Sequence, residues 1–136
     1  DPRGASLSII GIGTDIVEIS RIQALHRRHA ERLVERLLGP SEQINYRALA
    51  DQDRLAAAFL AKRFAAKEAA AKALGCGIGA QARFTELGID HTAAGAPFLV
   101  LTGAARHQAD ILRMTRSHVS ISDEREQALA FVILER

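Results

Sequence analysis

Residues 63–73 have the sequence RFAAKEAAAKA, which places a glutamate and a lysine four positions apart. In an α-helix, with about 100° of rotation per residue, Glu68 and Lys72 lie within about 40° of each other. One interpretation is an ordinary ion pair, which stabilises an exposed helix by about 0.3–0.5 kcal/mol. The other is a ligand site, with Glu68 holding a metal ion and Lys72 a phosphate oxygen. The small alanines on the same face would let a ligand approach. The apolar residues of that face are Ala61, Phe64, Ala65 and Ala71.

A second acidic side chain, Asp15, follows the sequence GIGT at the end of a predicted strand. An aspartate at such a place commonly stabilises a turn or a helix start. Alternatively, Asp15 and Glu68 form an oxygen-only cation site, which suits Mg²⁺ because that ion keeps waters and uses substrate phosphates. Zinc fits poorly, because the chain has no His/Cys cluster with the required spacing. A dinucleotide fingerprint is excluded as well, since Ile16 stands where its third glycine would be.

Three glycines follow the helix within five residues, at Gly75, Gly77 and Gly79. A helix end followed by a loop explains them, and the same backbone freedom would let a ligand approach closely. Nothing near Cys76 indicates an activated thiol.

His118 begins a predicted strand on which Ser120 and Ser122 follow at alternate positions. A hydrolase triad with Asp123 is conceivable, but there is no nucleophile elbow, and residues two apart on a strand share a face without forming a triad. A histidine here is more often structural, and a phosphate contact is the alternative.

Arg21, Arg28 and Arg32 fall on one face of the first predicted helix, away from its apolar stripe. A solvated basic face is common on helices. The functional alternative is a docking surface for an acidic partner.

The elements that position these groups follow from hydrophobic periodicity and from cap and turn residues. Strands are predicted over residues 8–18, 84–90, 97–101, 118–122 and 128–134, and helices over 20–38, 53–74 and 102–113. The expected helix caps are Ser20, Asp51 or Asp53, and Thr102, with a cap at Ser41 after Gly39-Pro40 and a helix end at Gly75. This order predicts an α+β fold, in which a small mixed or antiparallel sheet packs against the long Ala-rich helix.

Length and composition limit the possible classes of protein. The chain has 136 residues, of which 48% are hydrophobic and 25% charged, as expected for one globular domain. We assign that domain to residues 8–136 and interpret residues 1–7 as a tag or disordered start. A net charge of +2 and an aromatic content of 4% do not indicate a nucleic-acid partner. With one cysteine and no apolar run of membrane-spanning length, we expect a cytoplasmic protein without a membrane partner.

Taken in order, these segments resemble the holo-acyl-carrier-protein synthase family, the small bacterial branch of the 4′-phosphopantetheinyl transferase superfamily. GIGTDIVEISRI (residues 11–22) is similar to that family's opening motif, and RFAAKEAAAKA followed by G-x-G-I-G is similar to its second signature. SHVSISDE (117–124) and ALAFVILE (128–135) are similar to its C-terminal hairpin. The resemblance covers residues 9–136 and implies the 4′-phosphopantetheinyl transferase fold.

The family transfers 4′-phosphopantetheine from coenzyme A to a serine of apo-acyl carrier protein and releases adenosine 3′,5′-bisphosphate. The resemblance implies that Asp15 and Glu68 hold Mg²⁺, that the coenzyme A pyrophosphate completes its shell, and that Lys72 neutralises phosphate charge. Either Glu68 or a metal-bound water would take the serine proton. Arg63 and His118 match family positions near the 3′-phosphate of the nucleotide. The loop over residues 75–79, with Gly75 and Gly77, would lie along the nucleotide.

The resemblance also implies a homotrimer with active sites between subunits. Arg21, which belongs to the opening motif, would face the acidic carrier protein, and the helical wheel adds Arg28 and Arg32. Cys76 departs from the family pattern, which has Thr or another small polar residue there, and so does the segment 39–53. The alternative from another class is a non-enzymatic module that uses the arginine face to hold an acidic protein or nucleic acid.

Overall fold

A computed structural model describes residues 8–136, so the predicted tag or disordered start lies outside the described residues. Four α-helices and five β-strands make up the described chain, joined by turns and one short 3₁₀ helix at Phe84–Glu86. The strands are β1 (Ile9–Glu18), β2 (Leu87–His91), β3 (Pro97–Leu101), β4 (Arg116–Asp123) and β5 (Gln127–Glu135). The helices are α1 (Ile19–Leu37), α2 (Pro40–Arg47), α3 (Asp53–Ala73) and α4 (Gly103–Ile111).

The strands form two antiparallel sheets. One has three strands in the order β1-β5-β4, and the other is the β2-β3 hairpin. Alternate residues of β5 are buried towards α3, because successive side chains of a strand point to opposite faces. The predicted α+β domain, with a small sheet against the Ala-rich helix, is therefore confirmed, and both sheets are antiparallel.

The contact between β1 and α3 is unusually close. A Cβ atom added at Gly11 would lie 1.9 Å from the Ala73 carbonyl oxygen, and one at Gly13 would lie 1.8 Å from that of Ala69. These distances are far below van der Waals contact, so only glycine fits at either position. The alanines of α3 and the glycines of β1 together let a strand and a helix meet backbone to backbone.

The segment that follows α1 differs from the sequence prediction. Residues 40–47, interpreted from sequence as a polar stretch with a possible cap at Ser41, form helix α2. Gly39 is the N-cap of this helix and Pro40 occupies its first turn, a position that suits proline because its missing N–H has no helical partner there. The same dipeptide therefore ends one helix and begins the next.

Three predicted caps are wrong, and two predicted helix boundaries are confirmed. The wrong caps are Ser20, Ser41, and Asp51 or Asp53, in place of which the structure has Glu18, Gly39 and Gln52. Glu18 rather than Ser20 is the N-cap of α1, and Asp53 lies inside the first turn of α3. The Asp53 carboxylate accepts hydrogen bonds from Gln23 and Arg27 of α1, both at 2.7 Å, so it joins two helices. Thr102 is the N-cap of α4, without a side-chain cap bond, and Gly75 follows α3 with a φ of 81°.

Helix α1 is interrupted at His29, whose φ of −142° and ψ of 47° are not helical. The predicted face of Arg21, Arg28 and Arg32 assumed one continuous helix. All three side chains are exposed, but Arg32 lies beyond the interruption. The helical-wheel argument therefore does not extend to Arg32.

We predict that Gly13→Ala lowers the free energy of unfolding by about 2 kcal/mol or more, because the new methyl group meets a helix backbone that cannot rotate away. Urea denaturation at fixed pH measures this change. Gly79→Ala is the matched control, since a Cβ there meets nothing within 4 Å. The control is expected to change the unfolding free energy by no more than about 1 kcal/mol. Equal effects of the two substitutions would contradict the proposed tight contact.

Candidate active site

The backbone contact between β1 and α3 positions the first acidic group. Gly11, Gly13 and Asp15 alternate along β1 and therefore share the face that meets α3. Where the two glycines allow the backbones to touch, the next residue on that face brings its carboxylate to the helix surface. The Asp15 side chain is 18% exposed, so it is partly withdrawn from water.

Lys72 joins the strand to the helix at this point. Its Nζ donates a hydrogen bond to the Thr14 carbonyl oxygen at 2.9 Å and contacts Asp15 Oδ1 at 3.2 Å. Half of the Lys72 side chain is exposed, which leaves the ammonium accessible to a ligand. Lys72 thus pairs with Asp15 across the β1–α3 junction. Among residues 8–136 no ion pair joins it to Glu68, which was one interpretation of their spacing in the sequence.

Glu68 is the second carboxylate of this group. Its partial burial raises the pKa of the carboxyl group, and the negative charge of Asp15 raises it further. The positive charges of Lys72 and Arg21 act in the opposite direction. Two carboxylates and two cations from β1, α1 and α3 are therefore close enough to influence one another.

The donor set of this cluster fits a hard divalent cation. Asp15 and Glu68 offer carboxylate oxygens, and a bound cation would relieve the repulsion between their negative charges. Within residues 8–136 no cluster of three or more histidine, cysteine or acidic side chains is placed to hold a metal. Two carboxylates without further protein ligands are typical of Mg²⁺ sites that rely on water and substrate phosphates.

A cleft of about 540 Å³ borders this cluster. Asp15 and Lys72 line it together with residues of the three-stranded sheet, namely Ser120, Ser122, Leu129 and Phe131. The cleft thus combines a charged end, suited to phosphate groups, with an apolar and hydroxyl-bearing wall.

Arg63 and His118 lie elsewhere, and neither contacts Asp15, Glu68 or Lys72. Arg63 is 4% exposed on the opposite side of α3, where its Nε lies 2.9 Å from Glu42 Oε2. His118 lies on the face of the sheet that points away from α3, with 46% of its side chain exposed. One chain therefore assembles the predicted metal and lysine group but does not bring the two predicted 3′-phosphate ligands to it.

The glycine loop lies at the end of α3 and begins three residues after Lys72. Gly75 and Gly77 have φ values of 81° and 67°, a region in which other residues are strained. The Gly77 amide donates to the Ala71 carbonyl oxygen at 3.1 Å, which folds the loop back onto the helix end. Burial raises the pKa of the Cys76 thiol, in agreement with the absence of sequence signals for an activated cysteine.

A buried ionic cluster on the far side of α3 was missed by the sequence analysis. Lys67, fully buried, donates from Nζ to Glu42 Oε1 at 2.7 Å and to the carbonyl oxygens of Leu37 and Phe84 at 2.6 Å and 3.0 Å. Arg63 contacts the other oxygen of Glu42. Lys67 is adjacent to Glu68 in sequence, and its contacts fix the rotation of α3 that turns Glu68 towards β1. The residue that could have indicated this cluster is Glu42, which lies in the segment interpreted from sequence as a polar stretch.

Comparison with known proteins assigns the family. The model of the 4′-phosphopantetheinyl transferase superfamily matches residues 11–132. The chain belongs to this superfamily. The holo-[acyl-carrier-protein] synthase of Alkalilimnicola ehrlichii is 51% identical over 127 residues, which cover 93% of this chain and 97% of that protein. Within the superfamily the chain is therefore a member of the holo-[acyl-carrier-protein] synthase family, a family of transferases.

Solved structures of the family agree with this fold. The holo-[acyl-carrier-protein] synthase of Neisseria meningitidis superimposes with a TM-score of 0.85 at 39% identity and covers 95% of this chain and 100% of that one. The synthase of Bacillus anthracis, solved in complex with coenzyme A (3′,5′-ADP), has a TM-score of 0.76 at 33% identity over 96% of this chain and 98% of that one. Membership in a transferase family selects the enzyme hypothesis over the non-enzymatic binding module. Within residues 8–136 no helix has the length and apolar character to cross a membrane.

The raised pKa of Glu68 predicts that, without metal, the stabilities of the parent protein and of Glu68→Gln differ by an amount that depends on pH. Because the folded state binds the Glu68 proton more tightly than the unfolded state, this group favours folding below its ordinary pKa of 4.5. That contribution is lost as the pH rises through the raised pKa. Glu68→Gln, which cannot ionise, should therefore be more stable than the parent at pH 7, and the gain should vanish below about pH 4.5.

Thermal unfolding in EDTA between pH 4 and pH 8 measures this difference. Glu31→Gln, which removes an equal charge from the exposed surface of α1, is the matched control and should show no comparable gain. A Glu68→Gln protein that is less stable than the parent at pH 7 would contradict this prediction. It would show that the attraction of Lys72 and Arg21 for the Glu68 carboxylate outweighs burial and the repulsion by Asp15.

Proposed function

We propose that this protein transfers 4′-phosphopantetheine from coenzyme A to a serine of apo-acyl carrier protein, and that Asp15 and Glu68 hold the Mg²⁺ ion required for the reaction. The observation that carries the proposal is the convergence of Asp15, Glu68 and Lys72 where β1 and α3 touch. The complex of the related synthase with coenzyme A supports the choice of donor substrate. The other product is adenosine 3′,5′-bisphosphate.

The residues divide the chemistry between charge neutralisation and proton transfer. When bound, Mg²⁺ supplies Lewis-acid polarisation of the pyrophosphate and stabilises the charge on the leaving group. Lys72, with half of its side chain exposed, neutralises the phosphate oxygens. The serine oxygen forms a bond to the phosphorus that carries pantetheine, and the bond from that phosphorus to the oxygen of the departing nucleotide breaks. Glu68, whose pKa is raised by partial burial, accepts the serine proton.

The complete site is formed between neighbouring copies in a homotrimer. His118 lies on a surface of the chain that does not face the Asp15–Glu68 group, and Arg63 is buried beside Glu42. In addition, the outer face of the three-stranded sheet exposes large apolar side chains where a single chain has nothing to cover them. These side chains are Ile12, Ile16, Leu129 and Phe131. An apolar face beside an incomplete polar site is the pattern expected of an interface that completes the site.

The carrier protein docks on the exposed arginines of α1. Arg21 is the best supported of these contacts, because its charge already acts on Glu68 and thus lies near the reacting serine. Arg28 extends the positive surface along the same stretch of α1, whereas Arg32 lies beyond the interruption at His29 and is not assigned to it. Complementary charge of this kind increases the rate of association with an acidic partner. The cytoplasmic location expected from the sequence stays a prediction.

We predict that Asp15→Asn and Glu68→Gln each lower the transfer rate by about 100-fold or more, the scale of losing one preorganised electrostatic group. Intact mass spectrometry of an apo-acyl carrier protein incubated with coenzyme A and Mg²⁺ measures the gain of one phosphopantetheine. EDTA should abolish the gain, and added Mg²⁺ should restore it. The control Glu124→Gln, an exposed carboxylate in the β4–β5 turn, should leave the rate unchanged. An undiminished rate in EDTA would contradict the metal assignment.

We further predict that two inactive variants complement each other. In trimers assembled from equal amounts of Asp15→Asn and His118→Ala chains, about a quarter of the sites combine an intact Asp15 with a neighbour's intact His118. Assays at a coenzyme A concentration at which each parent is nearly inactive should reveal the recovered activity. A mixture no more active than the mean of its parents would place both groups in one chain's site. Analytical ultracentrifugation of the parent protein provides the independent measurement of oligomeric state.

A further inference from the structure

The outer face of the three-stranded sheet ends in a polar pair that the proposed reaction does not yet use. His118 of β4 pairs in register with Ile133, and Glu135 of β5 pairs with Arg116. The carboxylate of Glu135 nevertheless bonds diagonally to His118, whose Nε2 lies 2.5 Å from Oε1. Among the described residues, no ion pair joins Glu135 to the arginine that stands directly opposite. Glu135 is the less exposed partner, at 20% against 46% for His118.

This pairing determines how the imidazole ring is presented. An ionised carboxylate can only accept hydrogen bonds, so Nε2 of His118 carries the hydrogen that it shares with Glu135. The ring is thereby held in one orientation, with Nδ1 as the nitrogen left for another partner. Carboxylates that bind the second nitrogen of a functional histidine fix its tautomer and orientation in the same way at metal sites.

We infer that Glu135 is a positioning residue, which holds His118 so that Nδ1 meets the 3′-phosphate of coenzyme A. The inference rests on the proposed function, since it takes His118 as a ligand of that phosphate. With a proton on both nitrogens, His118 donates to Glu135 on one side and to the phosphate on the other. Glu135 influences the phosphate only through His118. A carboxylate in direct contact with the phosphate would repel that group.

The test compares two donors that differ only in the 3′-phosphate, coenzyme A and 3′-dephospho-coenzyme A. Calorimetry of the intact protein with each donor should show that Glu135→Ala weakens binding of coenzyme A by about 10-fold, the lower end of the effect of losing a group that orients a ligand. Binding of the dephospho form should be unchanged. In a His118→Ala background the same substitution should no longer weaken coenzyme A binding. Equal weakening of both donors, or an effect that persists without His118, would overturn the inference.

A spectroscopic measurement excludes a merely structural role. The ring ¹⁵N shifts of His118 should report hydrogen at Nε2 in the parent protein and a mixture of tautomers in Glu135→Ala. Glu135→Gln, which keeps an oxygen acceptor, should preserve the parent pattern in part, and Glu124→Ala should leave it unchanged. Ring shifts that are the same in parent and Glu135→Ala would overturn the pairing itself.

The parent protein is first assayed for phosphopantetheine transfer by mass spectrometry. Absence of transfer would contradict the proposed function, and the inference with it. Normal transfer together with unchanged discrimination between the two donors would contradict the role of Glu135 alone.

Discussion

The backbone contact between β1 and α3 is the constraint on which the rest of this structure depends. Gly11 and Gly13 remove the side chains that would hold strand and helix apart, and the alanines of α3 remove them from the other partner. Because these residues are small, the contact buries less apolar area than bulky side chains would bury. The same close contact places Asp15, the next residue on that face of β1, at the helix surface near Lys72 and Glu68. The small residues of both motifs thus have a functional explanation as well as a structural one.

The opposite side of α3 supplies the complementary restraint. A helix with so many alanines offers few large side chains to define its rotation, and the buried cluster of Glu42, Arg63 and Lys67 provides that definition. Burial lowers the pKa of Lys67, and the adjacent Glu42 opposes the shift. Removing one member would leave a buried charge unpaired, which costs far more than the net value of the pair. Charged groups therefore lie on both sides of α3. Those near β1 form the candidate ligand site, and those around Glu42 fix the rotation of the helix.

Much of this arrangement could be predicted from the sequence, because the signals were local. Strand β1, helix α3 and the terminal hairpin follow from periodicity. The grouping of Asp15 with Glu68 and Lys72, which are distant in sequence, was implied by the family resemblance. Helix α2 could not be predicted in this way, since an eight-residue segment has little helical preference of its own and is held by Lys67 from α3. The interruption of α1 at His29 could not be predicted either, because neither glycine nor proline occurs there to indicate a break in the helix. In both cases contacts distant in sequence decide the local structure.

The distribution of charged groups over separate surfaces bears on how activity and assembly are linked. The Asp15–Glu68 group lies on the α3 side of β1, whereas His118 and Glu135 lie beyond β5 on the outer face of the same sheet. Adjacent strands are about 4.8 Å apart, so β1 and β4 are separated by about 10 Å as well as by the thickness of the sheet. The two groups therefore do not meet within one chain. If both groups bind one coenzyme A molecule, assembly of the proposed homotrimer covers the apolar outer face and completes the catalytic site at the same time. A free subunit would then have an uncovered apolar face and an incomplete site.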